Sequence, residues 1–264
     1  MSARISASFQ DGRCSLIPFI TVGDPHADWT VDIMHALVEG GADLLELGVP
    51  FSDPMADGPV IQQSSERAIE RGVTLESVLS TVREFREQDQ QTPVILMGYM
   101  NPVERFGEAD FPAAAAAAGV DGLLLVDCPP EEAQVLHQAL EQEGLSSILL
   151  VAPTTREARL DRICGAASGF IYYVSFKGIT GANRLDADAL QAPINAIRSR
   201  SELPVAAGFG INDAESAKAV AAHSDGVVIG SALVKLLAES EDRADAVGRA
   251  RDFVASVRQA LDNS

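Results

Sequence analysis

Short, almost wholly apolar runs recur along the chain, and the stretch after each one reads as helix. The runs are Ser15 to Val22, Leu44 to Leu47, Pro93 to Met97, Gly122 to Asp127, Ser147 to Ala152, Phe170 to Val174, Pro204 to Ala207 and Gly226 to Ile229. Each is too short for a helix and lacks the in-out alternation of a half-exposed strand, so each predicts a strand covered on both faces, as parallel strands are. Helices are predicted over Asp28 to Glu39, Ile61 to Arg71, Leu75 to Gln88 and the alanine run Ala113 to Ala118. More follow from the Cys128-Pro129-Pro130-Glu131-Glu132 start to Gly144, over Arg156 to Ala167, Asp188 to Arg198 and Asp213 to Ala222, and from Ser231 and Asp245 onward. Glycines stop several of them, and Pro and acids open others. The segments Gly98 to Pro102 and Gly178 to Gly181 read as loops.

Eight strands, each followed by helix, close most naturally into a (β/α)₈ TIM barrel, an α/β fold of a single domain over residues 1–264 with extra helices. An internal echo supports the count. Gly41-Ala42-Asp43, Gly119-Val120-Asp121-Gly122 and Ser224-Asp225-Gly226 each set a helix stop and an acid before an aliphatic run. The competing architecture is an open doubly wound sheet, against which no G-x-G-x-x-G follows the first strand.

Composition narrows the function more than the fold. A formal net charge of -18 excludes the basic surfaces that nucleic acid and anionic membranes require. Lysine occurs only at positions 177, 218 and 235, so an anionic substrate must be held largely by backbone N–H groups and local dipoles, unless Lys177 or an arginine reaches it. With 47% hydrophobic residues, no 18-residue apolar run and no cleavable leader pattern, the expectation is a soluble, cytoplasmic protein. Cys14, Cys128 and Cys164 are odd in number and have no C-x-x-C spacing, which predicts three small buried hydrophobes rather than a disulfide or zinc site. The four histidines are scattered.

In a barrel of this type the chemistry lies where the strands end. Residues at those ends include Glu46, Asp57, Tyr99, Asn101, Asp127, Tyr172, Gly178, Gly181, Gly208, Gly210, Gly230 and Ser231. The later loops are all glycine-rich, and the last opens a helix, a combination that lets backbone N–H groups and a helix dipole hold a phosphate. Plain chain reversal at strand ends also explains such glycines. Across the mouth, Glu46 sits among leucines and is expected to be held protonated, whereas Asp57 in a polar loop is expected to stay ionised. A strand-end acid facing water and a helix-capping Asp57 are the plainer alternatives. Tyr99 and Tyr172 suit either an aromatic substrate or rim packing.

Longer motifs point to one family. Pro18-Phe19-Ile20-Thr21-Val22-Gly23-Asp24-Pro25 and Leu45-Glu46-Leu47-Gly48-Val49-Pro50-Phe51-Ser52-Asp53-Pro54-Met55-Ala56-Asp57-Gly58-Pro59 resemble the signature of tryptophan synthase alpha subunits. Gly178-Ile179-Thr180-Gly181-Ala182, Gly208-Phe209-Gly210-Ile211 and Gly230-Ser231-Ala232-Leu233-Val234-Lys235 fit the same family, so the resemblance runs from Ser15 to Lys235. It implies a carbon-carbon lyase of tryptophan biosynthesis that splits indole-3-glycerol phosphate into indole and D-glyceraldehyde 3-phosphate, with no cofactor in this subunit. Glu46 would be the general acid/base and Asp57 would stabilise charge at the indole nitrogen. Phe19, Tyr99 and Tyr172 would line the indole, and Gly181, Gly210, Gly230 and Ser231 would bind the phosphate.

The resemblance further implies a pyridoxal-phosphate beta subunit as partner in an alpha2beta2 heterotetramer, with Pro50, Asp53 and Asn101 near the contact. The loop after the sixth strand would be a lid over the substrate. Ser175-Phe176-Lys177-Gly178 departs there from the family's common Ser-Arg-x-Gly. Two other functions stay open on the residues alone: a barrel isomerase or epimerase of another phosphosugar, and a subunit that chiefly activates its partner.

Overall fold

The structure is a computed structural model describing residues 2–10, 12–174, 187–208 and 210–263. It begins with helix α1 (Ala3–Ser8), strand β1 (Ser15–Thr21), helix α2 (Thr30–Glu39) and strand β2 (Leu45–Gly48). Helices α3 (Pro59–Glu70) and α4 (Leu75–Arg86), strand β3 (Val94–Gly98), helices α5 (Met100–Phe106) and α6 (Phe111–Ala118) and strand β4 (Gly122–Leu125) follow. After helix α7 (Gln134–Gln142) come strands β5 (Ser146–Ser147) and β6 (Leu149–Val151), helix α8 (Glu157–Ala166) and strand β7 (Ile171–Val174). The chain ends with helix α9 (Gln191–Arg198), strand β8 (Val205–Gly208), helix α10 (Ala214–Ala221), strand β9 (Gly226–Ile229) and helices α11 (Ser231–Ala238) and α12 (Arg243–Asp262).

All pairings are parallel, in the order β5-β4-β3-β2-β1-β9-β8-β7-β6. The two end strands of that order are separated by Ile148 alone, and its N–H donates to the Leu123 carbonyl at 2.9 Å. The sheet therefore closes, and the expected (β/α)₈ barrel is the observed one. The single strand expected over Ser147 to Ala152 is split because its first half pairs with β4 and its second with β7. Staggered pairing of this kind accompanies the strand tilt of a closed barrel.

Strand alternation sorts the core into two layers. Ile17, Leu44, Ile95, Leu124, Ile148, Phe170, Tyr172, Ala206 and Val228 fill the barrel. Leu16, Leu45, Leu47, Leu96, Ile171, Val205 and Val227 pack outward with the helices. Leu45 and Leu47 thus point away from Glu46, which shares the inner face with Leu44.

The repeated aspartate has a specific task at the opposite end of the barrel. Asp43, Asp121 and Asp225 each donate a backbone N–H to the carbonyl of a residue on the neighbouring strand, namely Leu16, Val94 and Val205, at 2.8–2.9 Å. Each carboxylate accepts the N–H of that same residue, at 2.8 Å from Leu16 and Val205 and 2.9 Å from Val94. Arginines complete the sites: Arg258 and Arg13 at Asp43, Arg86 and Arg4 at Asp121, and Arg198 at Asp225.

Two helices depart from expectation. Helix α1, which the pattern does not predict, plugs this aspartate end: Ile5 is fully buried in the barrel core and Phe9 packs on Phe170 at 5.5 Å. Helix α5 stands where a loop is expected, because Pro102 falls within its first turn and the Asp127 carboxylate accepts the Met100 N–H at 2.8 Å. In addition, α7 begins at Gln134, later than expected, because the chain after Pro130 first forms a turn in which the Pro129 carbonyl accepts the Glu132 and Ala133 N–H groups at 2.9 and 3.1 Å. Among the cysteines only Cys164 is buried; Cys14 and Cys128 are half-buried, and all three are free thiols. Among the described residues no helix is long and apolar enough to cross a membrane.

Candidate active site

Glu46 lies on β2, level with Phe19 of β1 and Ile95 of β3, and is 1% exposed. Its Oε1 has no hydrogen-bond partner among the described residues. Burial, with the nearby charge of Asp57 adding to it, pushes its carboxyl up to about 8, so it holds a proton at neutral pH. The raised carboxyl agrees with the expected protonation, but the desolvating surface is the barrel interior, Leu44 included, and not Leu45 and Leu47.

Asp57 sits in the loop between β2 and α3. It does not cap the helix, because the cap position is Gly58 and makes no side-chain cap bond. The carboxylate accepts a hydrogen bond from Tyr99 Oη at 3.0 Å, and the same oxygen of Tyr99 accepts the Ala56 N–H at 3.0 Å. Gln62, one turn into α3, donates its side-chain amide to the Asp57 carbonyl at 2.8 Å. The carboxyl of Asp57 is also raised, by burial, with the Tyr99 bond acting against that rise. The loop folds back over the barrel mouth and takes Asp57 partly out of water, which its polar composition does not suggest, while the Tyr99 donor favours the ionised form expected of it.

Helix α3, which anchors this loop, is fastened to the end of β1. Arg67 grips the buried Asp24 through both carboxylate oxygens, at 2.6 and 2.8 Å, and the Thr21 and Ser64 hydroxyls meet at 2.6 Å. Gln62, Asp24 and Arg67 are contributors that sequence reading passed over. Gln62 alone carried a signal, its place in the first turn after the acid loop.

The aromatic candidates come together at the same end. Phe19 lies against Gly48 and Gly230, where an added Cβ would stand 2.5 Å from its Cζ and 3.3 Å from its Cβ, respectively. Tyr172 is 8% exposed, and its hydroxyl occupies the space a Cβ on Gly208 would need. Burial, then the charges of Glu46 and Asp57, raise the phenol of Tyr172, keeping it a neutral donor. Gly210 adopts a positive φ of 74° in an exposed loop, Gly230 caps α11, and Ser231 is its exposed first residue. Gly178 and Gly181, with the lid expected around them, lie outside the described residues. Of the expected partner-contact residues, Asp53 and Asn101 are exposed and Pro50 is buried within the chain.

The closed parallel barrel, with a buried acid and a second acid at the same end, places the chain among TIM-barrel proteins. The family follows from comparison: the model of the family described as tryptophan synthase alpha chain matches residues 5–262, and the chain belongs to that family. It is 55% identical over 263 residues to the tryptophan synthase alpha chain of Thioalkalivibrio sulfidiphilus, covering 99% of each chain. Among solved structures it is similar to the alpha subunit of Legionella pneumophila, with a TM-score of 0.92, 43% identity and full coverage of both chains. It is also similar to a chain from the tryptophan synthase a2b2 complex of Pyrococcus furiosus, with a TM-score of 0.82, 37% identity and coverage of 94% of this chain and 98% of that one.

Proposed function

We propose that this chain cleaves indole-3-glycerol phosphate to indole and D-glyceraldehyde 3-phosphate by a retro-aldol step, the alpha reaction of tryptophan biosynthesis. The observation that carries the reading is Glu46, a buried acid whose Oε1 has no partner among the described residues and which holds its proton at neutral pH. In the cleavage, Glu46 gives that proton to indole C3. This breaks the aromaticity of the pyrrole ring and makes it an electron sink for the bond to the glyceryl carbon. As that bond breaks, the glyceryl hydroxyl becomes the aldehyde and returns its proton to Glu46, so the acid is restored. Asp57 accepts the indole N–H and stabilises the positive charge that C3 protonation places on the ring.

Phe19, Tyr99 and Tyr172 line the indole, while Gly181, Gly210, Gly230 and Ser231 supply N–H and hydroxyl groups to the phosphate. The whole chain, residues 1–264, acts as one domain in the cytoplasm. It passes indole to a beta subunit docked over the loop of Asp53 and the start of α5 at Asn101, with Pro50 stiffening that loop from below. The a2b2 assembly of the Pyrococcus relative supports that partnership.

Glu46→Gln tests the reading. Indole release should fall about a thousandfold or more, while binding of a phosphate-bearing substrate analogue survives. Substantial indole production by that variant would overturn it. Indole release measured without and then with a beta subunit separates an intrinsic lyase from a mere activator: brisk turnover by the isolated chain supports the lyase.

A further inference from the structure

We propose that Tyr99 is a positioning residue for Asp57, its hydroxyl fixing one oxygen of that carboxylate while Asp127 holds the start of α5 from which Tyr99 projects. The inference rests on the reading of Asp57 given above and goes beyond it, since a tyrosine that only lines an indole pocket needs no hydroxyl.

The geometry sets the direction of the bond. The Ala56 N–H can only donate, and it donates to Tyr99 Oη at 3.0 Å, taking up a lone pair there. The one proton of the hydroxyl is then directed to Asp57 Oδ2, also at 3.0 Å. A donor so committed favours the ionised carboxylate and a single rotamer of it. No hydrogen bond among the described residues goes to Asp57 Oδ1, which is left for substrate.

Tyr99 is itself constrained. It is 4% exposed, its ring packs on Phe51 with centroids 5.2 Å apart, and it is the cap residue of α5 without capping the helix itself. The missing cap comes from the next strand end, where Asp127 Oδ1 accepts the Met100 N–H at 2.8 Å. Three successive strand ends thus form one chain of contacts: Asp127 after β4, Tyr99 after β3 and Asp57 after β2. The charge of Asp57 in turn raises the carboxyl of Glu46 from β2 and the phenol of Tyr172 from β7, and Asp127 after β4 adds to the rise of Tyr99.

Tyr99→Phe in the full chain is the test, because it keeps the ring and removes the donor. Expected are a fall in kcat of about tenfold to a hundredfold with KM changed less than about twofold. The limb of the pH profile that Asp57→Asn abolishes should also move toward neutral pH, because losing the donor raises Asp57. Unchanged kcat with a raised KM would make Tyr99 a pocket wall and overturn the proposal, as would an unmoved limb. Asp127→Ala should lose activity in the same sense, and Asp127→Asn, whose amide oxygen still accepts from Met100, should recover most of that loss; equal damage from both would also overturn it. Adding Tyr99→Phe to Asp57→Asn should have little further effect. If Asp57→Asn alone is nearly fully active, the role given to Asp57 fails; if it is inactive and Tyr99→Phe is normal, only the positioning role fails.

Discussion

The two ends of the barrel bury the same functional group to opposite effect. Asp121 at the N-terminal end is 2% exposed and Glu46 near the C-terminal end is 1% exposed. Asp121 takes hydrogen bonds from the Val94 N–H, the Arg86 and Arg4 guanidinium groups and the Ser2 hydroxyl, all within 2.9 Å. Glu46 meets none of this kind at Oε1, and the charge that acts on it is that of another acid, Asp57. Burial costs an ionised carboxylate several kcal/mol, and only partners or a proton offset it. Where arginines supply the offset the acid is structural; where a proton does, the acid is left with something to give.

The largest effect expected from this contrast comes from Glu46→Gln, and it should move activity and stability in opposite directions. Alongside the loss of turnover, the variant should be more stable than the parent in alkali. The folded-state pKa of about 8 lies above the ordinary value of 4.5. Between those values the folded protein retains a proton that the unfolded chain releases, so stability falls as pH rises through this window and the full penalty stands above it. The penalty is on the order of 5 kcal/mol. Denaturant unfolding at pH 5 and pH 9 should show the two proteins close together at the lower pH and the variant ahead by a few kcal/mol at the higher. A gap independent of pH would mean that Glu46 does not hold its proton in the fold.

Next in size, Asp121→Ala should destabilise the fold by about 3–5 kcal/mol, because it leaves Arg86 buried without its counter-charge and the Val94 N–H without its side-chain acceptor. Turnover per folded molecule should be unchanged, since the site lies at the other end of the strands. A urea midpoint together with kcat measured well below the unfolding transition checks both halves. Lost turnover in the folded protein would mean that the two ends are not independent.

This contrast also explains what the sequence could and could not reveal. The barrel was legible because its parallel strands are buried on both faces and leave unbroken apolar runs, and because glycines and prolines punctuate nearly every helix. The repeated acid before three strands was visible as a pattern, yet its partners were not: Arg86 lies 35 residues from Asp121, and Arg258 lies 215 from Asp43. Glu46 stood out through its neighbours Leu45 and Leu47, although alternation points those two away from it. Helix α1 escaped notice because its one core side chain, Ile5, sits among serines and an arginine. The Tyr99 bond to Asp57 joins positions 42 residues apart and needed the closed barrel to be seen.

The smallest effect tests whether burial, rather than the mere presence of an arginine, sets the strength of the aspartate ring. Arg198 bonds Asp225 at 2.8 Å, the same distance as Arg86 from Asp121, but its side chain is 41% exposed and that of Asp225 39%, against 7% and 2% for the buried pair. Water screens the exposed pair and continues to solvate Asp225 once the arginine is gone, and the carboxylate keeps its bond from the Val205 N–H. Arg198→Ala should therefore lose no more than about 1 kcal/mol, and that loss should shrink further in high salt. Arg86→Ala takes from the buried Asp121 its one buried cation, leaving the more exposed Arg4, and should lose about 3 kcal/mol with little dependence on salt. Urea unfolding of the two variants at low and high ionic strength decides the matter: equal losses would show that the ring depends on contact geometry alone, and a ratio of about three or more that the low-dielectric end of the barrel makes the same contact matter.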